Sequence, residues 1–317
     1  MSEHHEKIIG VLVMSYGTPE SMDDVEAYYT HIRRGNAPTP ELLAELKGRY
    51  EAIVGGVFPL RENTDGQVAG LQDKLEQLAP GQFVCYQGLK HARPYIEDGV
   101  EAMAQDGITQ AVGIVLAPHF STMSVGSYIK RAQEKAAELG IEMSFVKQYH
   151  LHPKLLKALT DRVQDGLNRL AAATDGEERV KVLFSAHSLP VKIREVGDPY
   201  EQQLLETSAA VAKAANVKDW QFTWQSAGRT REPWLGPDIL ETLPMLAEEG
   251  VKGVLVAPVG FVSDHLEVLY DLDIEAQAAA KQLDMTLDRI AMLNRDPLYM
   301  EALAESVMEA WEGQGKE

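Results

Sequence analysis

Two short segments of this chain hold residues able to move protons or bind a metal. S-A-H-S-L-P places His187 just beyond the apolar run 180–184, and V-S-D-H-L-E-V-L-Y-D-L-D-I-E carries Glu267, Asp271 and Glu275. An imidazole ordinarily titrates near pH 6.5, about where its neutral form can accept a proton or bind a divalent metal. The three carboxylates recur at every fourth residue, a spacing that stacks them along one face of a helix. Such a stack reads in two ways: a solvated acidic face, or a path for a hard divalent cation or for protons, because oxygen ligands repel one another less once a cation lies between them. His265, in the same segment, either packs the helix start or supports the carboxylates behind it. A histidine at a strand end also has a plain structural reading.

The elements that must position these residues are visible as an alternation of short apolar runs with longer helical patterns. Strand candidates are 8–14, 83–86, 111–117, 143–146, 180–184, 222–224, 253–257 and 285–287; helical patterns include 94–106, 127–139, 153–172, 200–215, 237–249, 267–282 and 297–311. Apolarity in the strands is continuous rather than alternating, the mark of parallel strands buried on both faces. The halves also repeat. V-L-V-M-S-Y-G-T-P (11–19) aligns without gaps on V-L-F-S-A-H-S-L-P (182–190), setting Tyr16 on His187, and G-I-V-L-A-P (113–118) matches G-V-L-V-A-P (253–258). The expected fold is therefore α/β, two similar lobes, each a four-stranded parallel sheet flanked by helices, facing a cleft. The expected domains are 1–152 and 153–317, with the C-terminal helix 297–312 packing back onto the first. Ligands of open α/β sheets bind beyond the carboxyl ends of the strands, where Tyr16 and His187 stand.

Composition narrows the function classes. A length of 317 residues suits two domains, and 30 Lys plus Arg against 48 Asp plus Glu leave a net charge of −18, which repels nucleic acid and anionic lipid alike. No apolar run reaches the length of a membrane span and the first residues lack a signal-peptide core, so a cytoplasmic protein is expected. Cys85 is the sole cysteine, which excludes an intrachain disulfide and a four-cysteine iron–sulfur cluster. Gly55 and Gly56 match no phosphate-binding motif, so nucleotide cofactors are not indicated. Against the acidic background stand H-I-R-R-G (31–35), L-K-G-R-Y (46–50), Arg61 and L-K-H-A-R-P (89–94). They fit a carboxylate-bearing small ligand, the guanidinium fork matching a carboxylate, or else exposed charges paired with nearby acids. Aromatic and glycine-rich loops at 50–60, 124–128 and 231–238 would wall a broad flat ligand, or simply pack.

Taken together and in order, M-S-Y-G-T-P, Y-Y-T-H-I-R-R-G, L-K-G-R-Y-E-A-I, G-L-K-H, L-A-P-H-F-S-T-M-S-V-G-S-Y, S-A-H-S-L-P, P-W-L-G-P-D and V-G-F-V-S-D-H-L-E-V-L-Y-D resemble the ferrochelatases, and among them the coproporphyrin ferrochelatases of Gram-positive bacteria. The resemblance covers nearly the whole chain. It implies two Rossmann-like lobes around a porphyrin cleft and insertion of Fe²⁺, as substrate, into coproporphyrin III, with no tightly bound cofactor and no iron–sulfur cluster. His187 and Glu267 would form the catalytic and metal-binding pair, with Asp271 and Glu275 relaying ions. Tyr16 would lie on the opposite porphyrin face, and Arg33, Arg49, Tyr50 and Tyr128 would touch the macrocycle or its propionates; Ile32, His91 and Trp234, from the same motifs, and Arg61 complete the expected substrate contacts. A monomer is expected, with an iron donor and a downstream coproheme decarboxylase as partners and none among nucleic acids. One departure stands out: where the family reads A-I-G-G-x-S-P-L, this chain reads A-I-V-G-G-V-F-P-L, with an extra residue and Phe58 in place of a serine. A hydroxyl contact to a propionate is lost there, and Arg61 is the expected substitute. Alternatives are a protoporphyrin IX ferrochelatase, a cobalt or nickel tetrapyrrole chelatase, and a haem or metal carrier without turnover.

Overall fold

The computed structural model describes residues 8–53, 58–173, 179–228 and 230–314. Eight strands form two parallel sheets: β1 (Ile9–Ser15), β2 (Phe83–Leu89), β3 (Gln110–Val115) and β4 (Glu142–Val146) in the first, β5 (Val180–His187), β6 (Trp220–Gln225), β7 (Gly253–Ala257) and β8 (Thr286–Arg289) in the second. The strand orders, β2-β1-β3-β4 and β6-β5-β7-β8, are the same topology written twice. Both central strands owe their place to composition. Every residue of β1 is buried, as is most of β5, because helices cover both faces of each sheet.

The chain divides into two compact units, the first ending at Tyr149 and resuming at Asn294, the second running from His150 to Leu293. In the first, the C-terminal helix Pro297–Gln314 packs along the helix Pro59–Leu78: Gln67 Nε2 donates to the Asn294 carbonyl at 2.8 Å, and Lys74 meets Glu301 at 3.2 Å. Its core gathers Leu12 and Met14 of β1 with Ile96, Val100 and Met103 of the helix Ile96–Gln105 and Val125 and Ala132 of the helix Val125–Leu139. In the second, Leu183, Val254 and Val256 meet Leu243 and Leu246 of the helix Ile239–Glu248, and also Val268 and Leu272. Truncating any one of these leucines would cost about 2–5 kcal/mol. Local signals set the helix starts. Thr39 accepts from Leu42 N–H just before Pro40, and Asp238 forms a reciprocal cap with Glu241.

Two differences from the sequence reading bear on function. β5 continues through Ala186 and His187, so His187 is the last strand residue rather than part of the following loop. The expected continuous helix over 267–282 is an α-turn (Leu266–Leu269), a π-helix (Asp271–Ala276) and a further α-helix (Gln277–Gln282). Glu275 N–H reaches back to the Tyr270 carbonyl at 3.0 Å, and this five-residue closure widens the turn. Glu267 is thus carried by the α-turn, and Asp271 and Glu275 by the π-helix that follows it. Among the described residues no helix is long and apolar enough to cross a membrane.

Candidate active site

At the end of β5 the His187 ring is oriented from both sides. Its Nδ1 donates to the Ser188 carbonyl, an atom that can only accept, so Nε2 is left to face Glu267 Oε1 at 3.6 Å. Glu267 Oε2 lies 3.4 Å from His265 Nε2, and His265 Nδ1 donates to the Ser263 carbonyl at 3.0 Å. A carboxylate thus sits between two imidazoles whose outer nitrogens are fixed by backbone. Glycine makes this approach possible: a Cβ at Gly260 would lie 2.3 Å from Ala186 Cβ, and Gly260 N–H bonds the Ser185 carbonyl at 3.1 Å. The loop after β7 can therefore lie directly on the end of β5 and carry His265 and Glu267 to His187. Arg289 braces the same segment, clasping Asp273 at 2.6 Å and Asp264 at 2.9 Å.

Charge in this cluster is strongly coupled. Burial works against the charged imidazole of His187, but the Glu267 carboxylate outweighs it, with help from the Ser188 carbonyl and Asp271, and raises the ring to about 9. Burial likewise opposes ionisation of Glu267, yet His187 and His265 hold its carboxyl well below the usual carboxylate range. At neutral pH the pair is therefore imidazolium and carboxylate. This differs from the neutral imidazole expected of an isolated histidine, and the cause is Glu267 beside it.

Asp271 is buried and accepts from the hydroxyl of Ser226, a non-glycine residue in the left-handed region at φ 60°, while Glu275 is half-buried one wide turn further on. Such strained backbone persists only where its surroundings hold it, and here it aims a hydroxyl at the carboxylate. Trp234 is brought near by a short antiparallel pairing of Pro190 with Trp234; its ring lies 6.3 Å from that of His187, and its Nε1 donates to Thr230 Oγ1 at 2.8 Å. Among the described residues no three His, Cys, Asp or Glu side chains are grouped closely enough to hold a metal ion by themselves.

The equivalent strand end of the first unit has different chemistry. Tyr16 follows β1 and is 42% exposed, its ring 4.6 Å from that of His91. Gly17 turns the chain at φ +86°, where a Cβ would press on Ala92 at 3.0 Å. His91 Nδ1 lies 3.0 Å from His31 Nδ1, and burial together with Lys90, His31 and Arg131 pushes His91 down to about 3, so it stays neutral. Lys90 was missed by the sequence reading as an individual site residue. Its ammonium lies 4.8 Å above the Tyr128 ring and donates to Ser127 Oγ at 2.8 Å, and burial plus Arg131 and Arg34 lower it to about 8. No acidic side chain among the described residues pairs with it, whereas neighbouring Arg131 is clasped by Glu97 at 2.6 and 2.7 Å. In the sequence Lys90 is marked only as part of the basic segment 89–94; it is the extension of β2 through Gln87, Gly88 and Leu89, paired beside β1, that sets Lys90 and His91 against Tyr16.

The remaining expected contacts are distributed over the helices that follow β1. Ile32 ends the helix Val25–Ile32 half-buried, and Arg33 lies over Tyr29 at 5.6 Å and donates to the Asn36 carbonyl. Arg49 is 3.8 Å from Glu45, and Tyr50 is buried against Phe58 with ring centres 4.7 Å apart. Arg61 is engaged by Glu20 at 2.9 Å and by the Arg93 carbonyl at 3.2 Å, beside a cavity of about 600 Å³ that Phe58 also lines. The stretch 54–57, which holds the extra residue together with Gly55 and Gly56, lies outside the described residues. Cys85 sits within β2, its thiol pushed up to about 12 by burial, which makes it a poor nucleophile.

Comparison with known proteins gives the family of the chain. A family model described as Ferrochelatase matches residues 8–311. Coproporphyrin III ferrochelatase of Anoxybacillus flavithermus is 47% identical over 307 residues, covering 96% of each chain, and that of Bacillus subtilis is 46% identical over 305 residues, 95% of this chain and 97% of that protein. Among solved structures, the sirohydrochlorin chelatase SirB from Bacillus subtilis subspecies spizizenii, in complex with cobalt, superposes with a TM-score of 0.58 at 13% identity, covering 97% of both chains. That likeness concerns the fold alone. The match across nearly all of the sequence shows that this chain belongs to the ferrochelatase family of metal-chelating enzymes.

Proposed function

We propose that this chain inserts Fe²⁺ into coproporphyrin III to give Fe-coproporphyrin, with His187 and Glu267 as the reacting pair. The observation that carries the site assignment is the imidazole at the end of β5 facing a carboxylate at 3.6 Å. The choice of porphyrin is supported by relatives of that name at 44–47% identity and by the cationic strand end of the first unit. Iron is a substrate here, not a resident cofactor.

Insertion exchanges one dication for two pyrrole N–H protons, so the protein must take up two protons as iron enters. His187 begins as an imidazolium, and its Nε2 must lose a proton before it can accept one. Fe²⁺ approaching Glu267 cancels the charge that keeps the imidazole protonated; Nε2 then releases its proton to solvent and becomes able to take a pyrrole proton. Glu267 serves as iron ligand or second acceptor, and Asp271 and Glu275 relay ions toward solvent. Tyr16, Ile32, Tyr50, His91, Tyr128 and Trp234 contact the macrocycle, while Arg33, Arg49 and Arg61, joined by Lys90, receive propionates. The product would pass to a decarboxylase, the reaction class that removes propionate carboxyls.

Steady-state insertion of Fe²⁺, Co²⁺ and Zn²⁺ into coproporphyrin III and protoporphyrin IX tests this reading. A several-fold higher kcat/KM for Fe²⁺ with coproporphyrin III is expected. Equal values for the two porphyrins overturn the substrate, and tight porphyrin binding without turnover would make the protein a carrier.

A further inference from the structure

Gln225, the last residue of β6, is fully buried and makes three hydrogen bonds around the reacting pair. Its backbone carbonyl takes the Ser188 N–H at 2.8 Å, its side-chain oxygen takes the Ser185 hydroxyl at 2.9 Å, and its side-chain NH₂ donates to the backbone carbonyl of Glu267 at 3.1 Å. The amide can be placed only one way round. A carbonyl oxygen accepts and never donates, so NH₂ must face Glu267, which turns the amide oxygen to Ser185. Ser185 precedes His187 by two residues and Ser188 follows it by one. A single buried residue thus ties the Ser185 hydroxyl and the Ser188 main chain, on the two sides of His187, to the main chain of Glu267.

Burying a primary amide is costly unless its hydrogen bonds are made, and an aliphatic side chain would fill the same volume without that penalty. The amide also does something that backbone pairing cannot. β5 and the turn carrying Glu267 are not sheet neighbours, since Glu267 lies beyond β7 on the start of a helix. We infer that Gln225 is a positioning residue which, through Ser185 and the Glu267 carbonyl, holds His187 and Glu267 at the separation needed for metal insertion. The inference rests on the proposed function for its catalytic part only; the geometric part stands apart from it.

The test uses the full-length protein carrying Gln225→Leu or Ser185→Ala, with crystal structures and steady-state iron insertion. In Gln225→Leu the His187 Nε2 to Glu267 Oε1 separation should lengthen beyond 3.6 Å. Its kcat should fall about 10- to 100-fold while the KM for porphyrin stays within about threefold, because small misplacements of reacting groups act on the chemical step. Ser185→Ala leaves the amide in place but frees it to turn, and should move both readouts in the same direction by less, about three- to tenfold in kcat. A lower melting temperature with unchanged separation and kcat reduces Gln225 to a core residue and overturns the inference. Should Gln225→Leu fail to fold, Ser185→Ala decides alone, and unchanged separation and kcat in that variant overturn the inference equally. If the wild-type protein inserts no iron, the functional reading fails, and the crystallographic separation still decides whether Gln225 positions the pair.

Discussion

The ends of β1 and β5 occupy the same place in two sheets of the same order, yet they hold different charges. Beyond β5 a carboxylate lies between two imidazoles, and that of His187 is held protonated. Beyond β1 a phenol lies beside an imidazole held neutral, with a lysine whose ammonium is made less stable by burial and by two arginines. The scaffold therefore fixes position but not chemistry. What differs is the neighbouring strand and its loop: β7 delivers Glu267 to His187, whereas β2 delivers Lys90 and His91 to Tyr16. In the proposed reading one end exchanges protons and receives a cation, and the other receives anionic groups.

The contrast breaks most sharply at His187. His187→Ala should lower iron insertion by about 10³-fold while porphyrin affinity, followed by fluorescence quenching, stays within about tenfold, since a proton acceptor serves the reaction more than ground-state binding. A variant keeping most of its turnover would place the proton chemistry elsewhere. Glu267→Gln comes next, with a loss of about 10²-fold and a second signature. In the wild type the imidazole titrates at about 9 against an ordinary 6.5, so the share of stability it contributes is full below about pH 6.5 and is lost as pH rises through about 9. Glu267, lowered from its ordinary value of 4.5, contributes above that value and loses its share on acidification. Without the carboxylate the largest raising influence is gone, and the His187 ring protons should titrate well below the wild-type value by NMR.

The first unit offers the smaller effects. Lys90→Met should raise the KM for coproporphyrin III about tenfold with little change in kcat, because an ammonium with no acidic partner among the described residues suits a carboxylate. In the wild type, porphyrin binding at pH 8.5 should take up protons, since a bound carboxylate raises the lysine from about 8; calorimetry in buffers of different ionisation enthalpy measures that uptake. Tyr16→Phe should change least, retaining insertion within about threefold, as a phenol of ordinary pKa near 10 is a poor base at neutral pH. Loss of activity in a folded, porphyrin-binding Tyr16→Phe variant would make the two strand ends chemically alike and end the contrast.

The repeated strand pattern was legible in the sequence because buried parallel strands are continuously apolar, and the doubled V-L-x-x-x-x-x-x-P segment aligned Tyr16 with His187 before any coordinates. The neighbours of those residues were not. Nothing in the spacing of Glu267, Asp271 and Glu275 announces a π-turn, since an i, i+4 pattern is what a regular helix also shows. The protonated state of His187 depends on a contact between residues 80 positions apart, which composition and period do not encode. Lys90 and His91 became site neighbours because β2 extends through the weakly strand-forming Gln87 and Gly88, where pairing with β1 overrides local propensity.

The first unit is interrupted: its sheet is complete by Val146, but the helix that packs against Pro59–Leu78 begins only at Pro297. During synthesis on the ribosome the second unit, a single uninterrupted segment, emerges whole while the first still lacks its last helix. The half of the protein that is made first is therefore the half that finishes folding last. Until then the face of Pro59–Leu78 that awaits this helix, including Gln67 and Lys74, faces solvent.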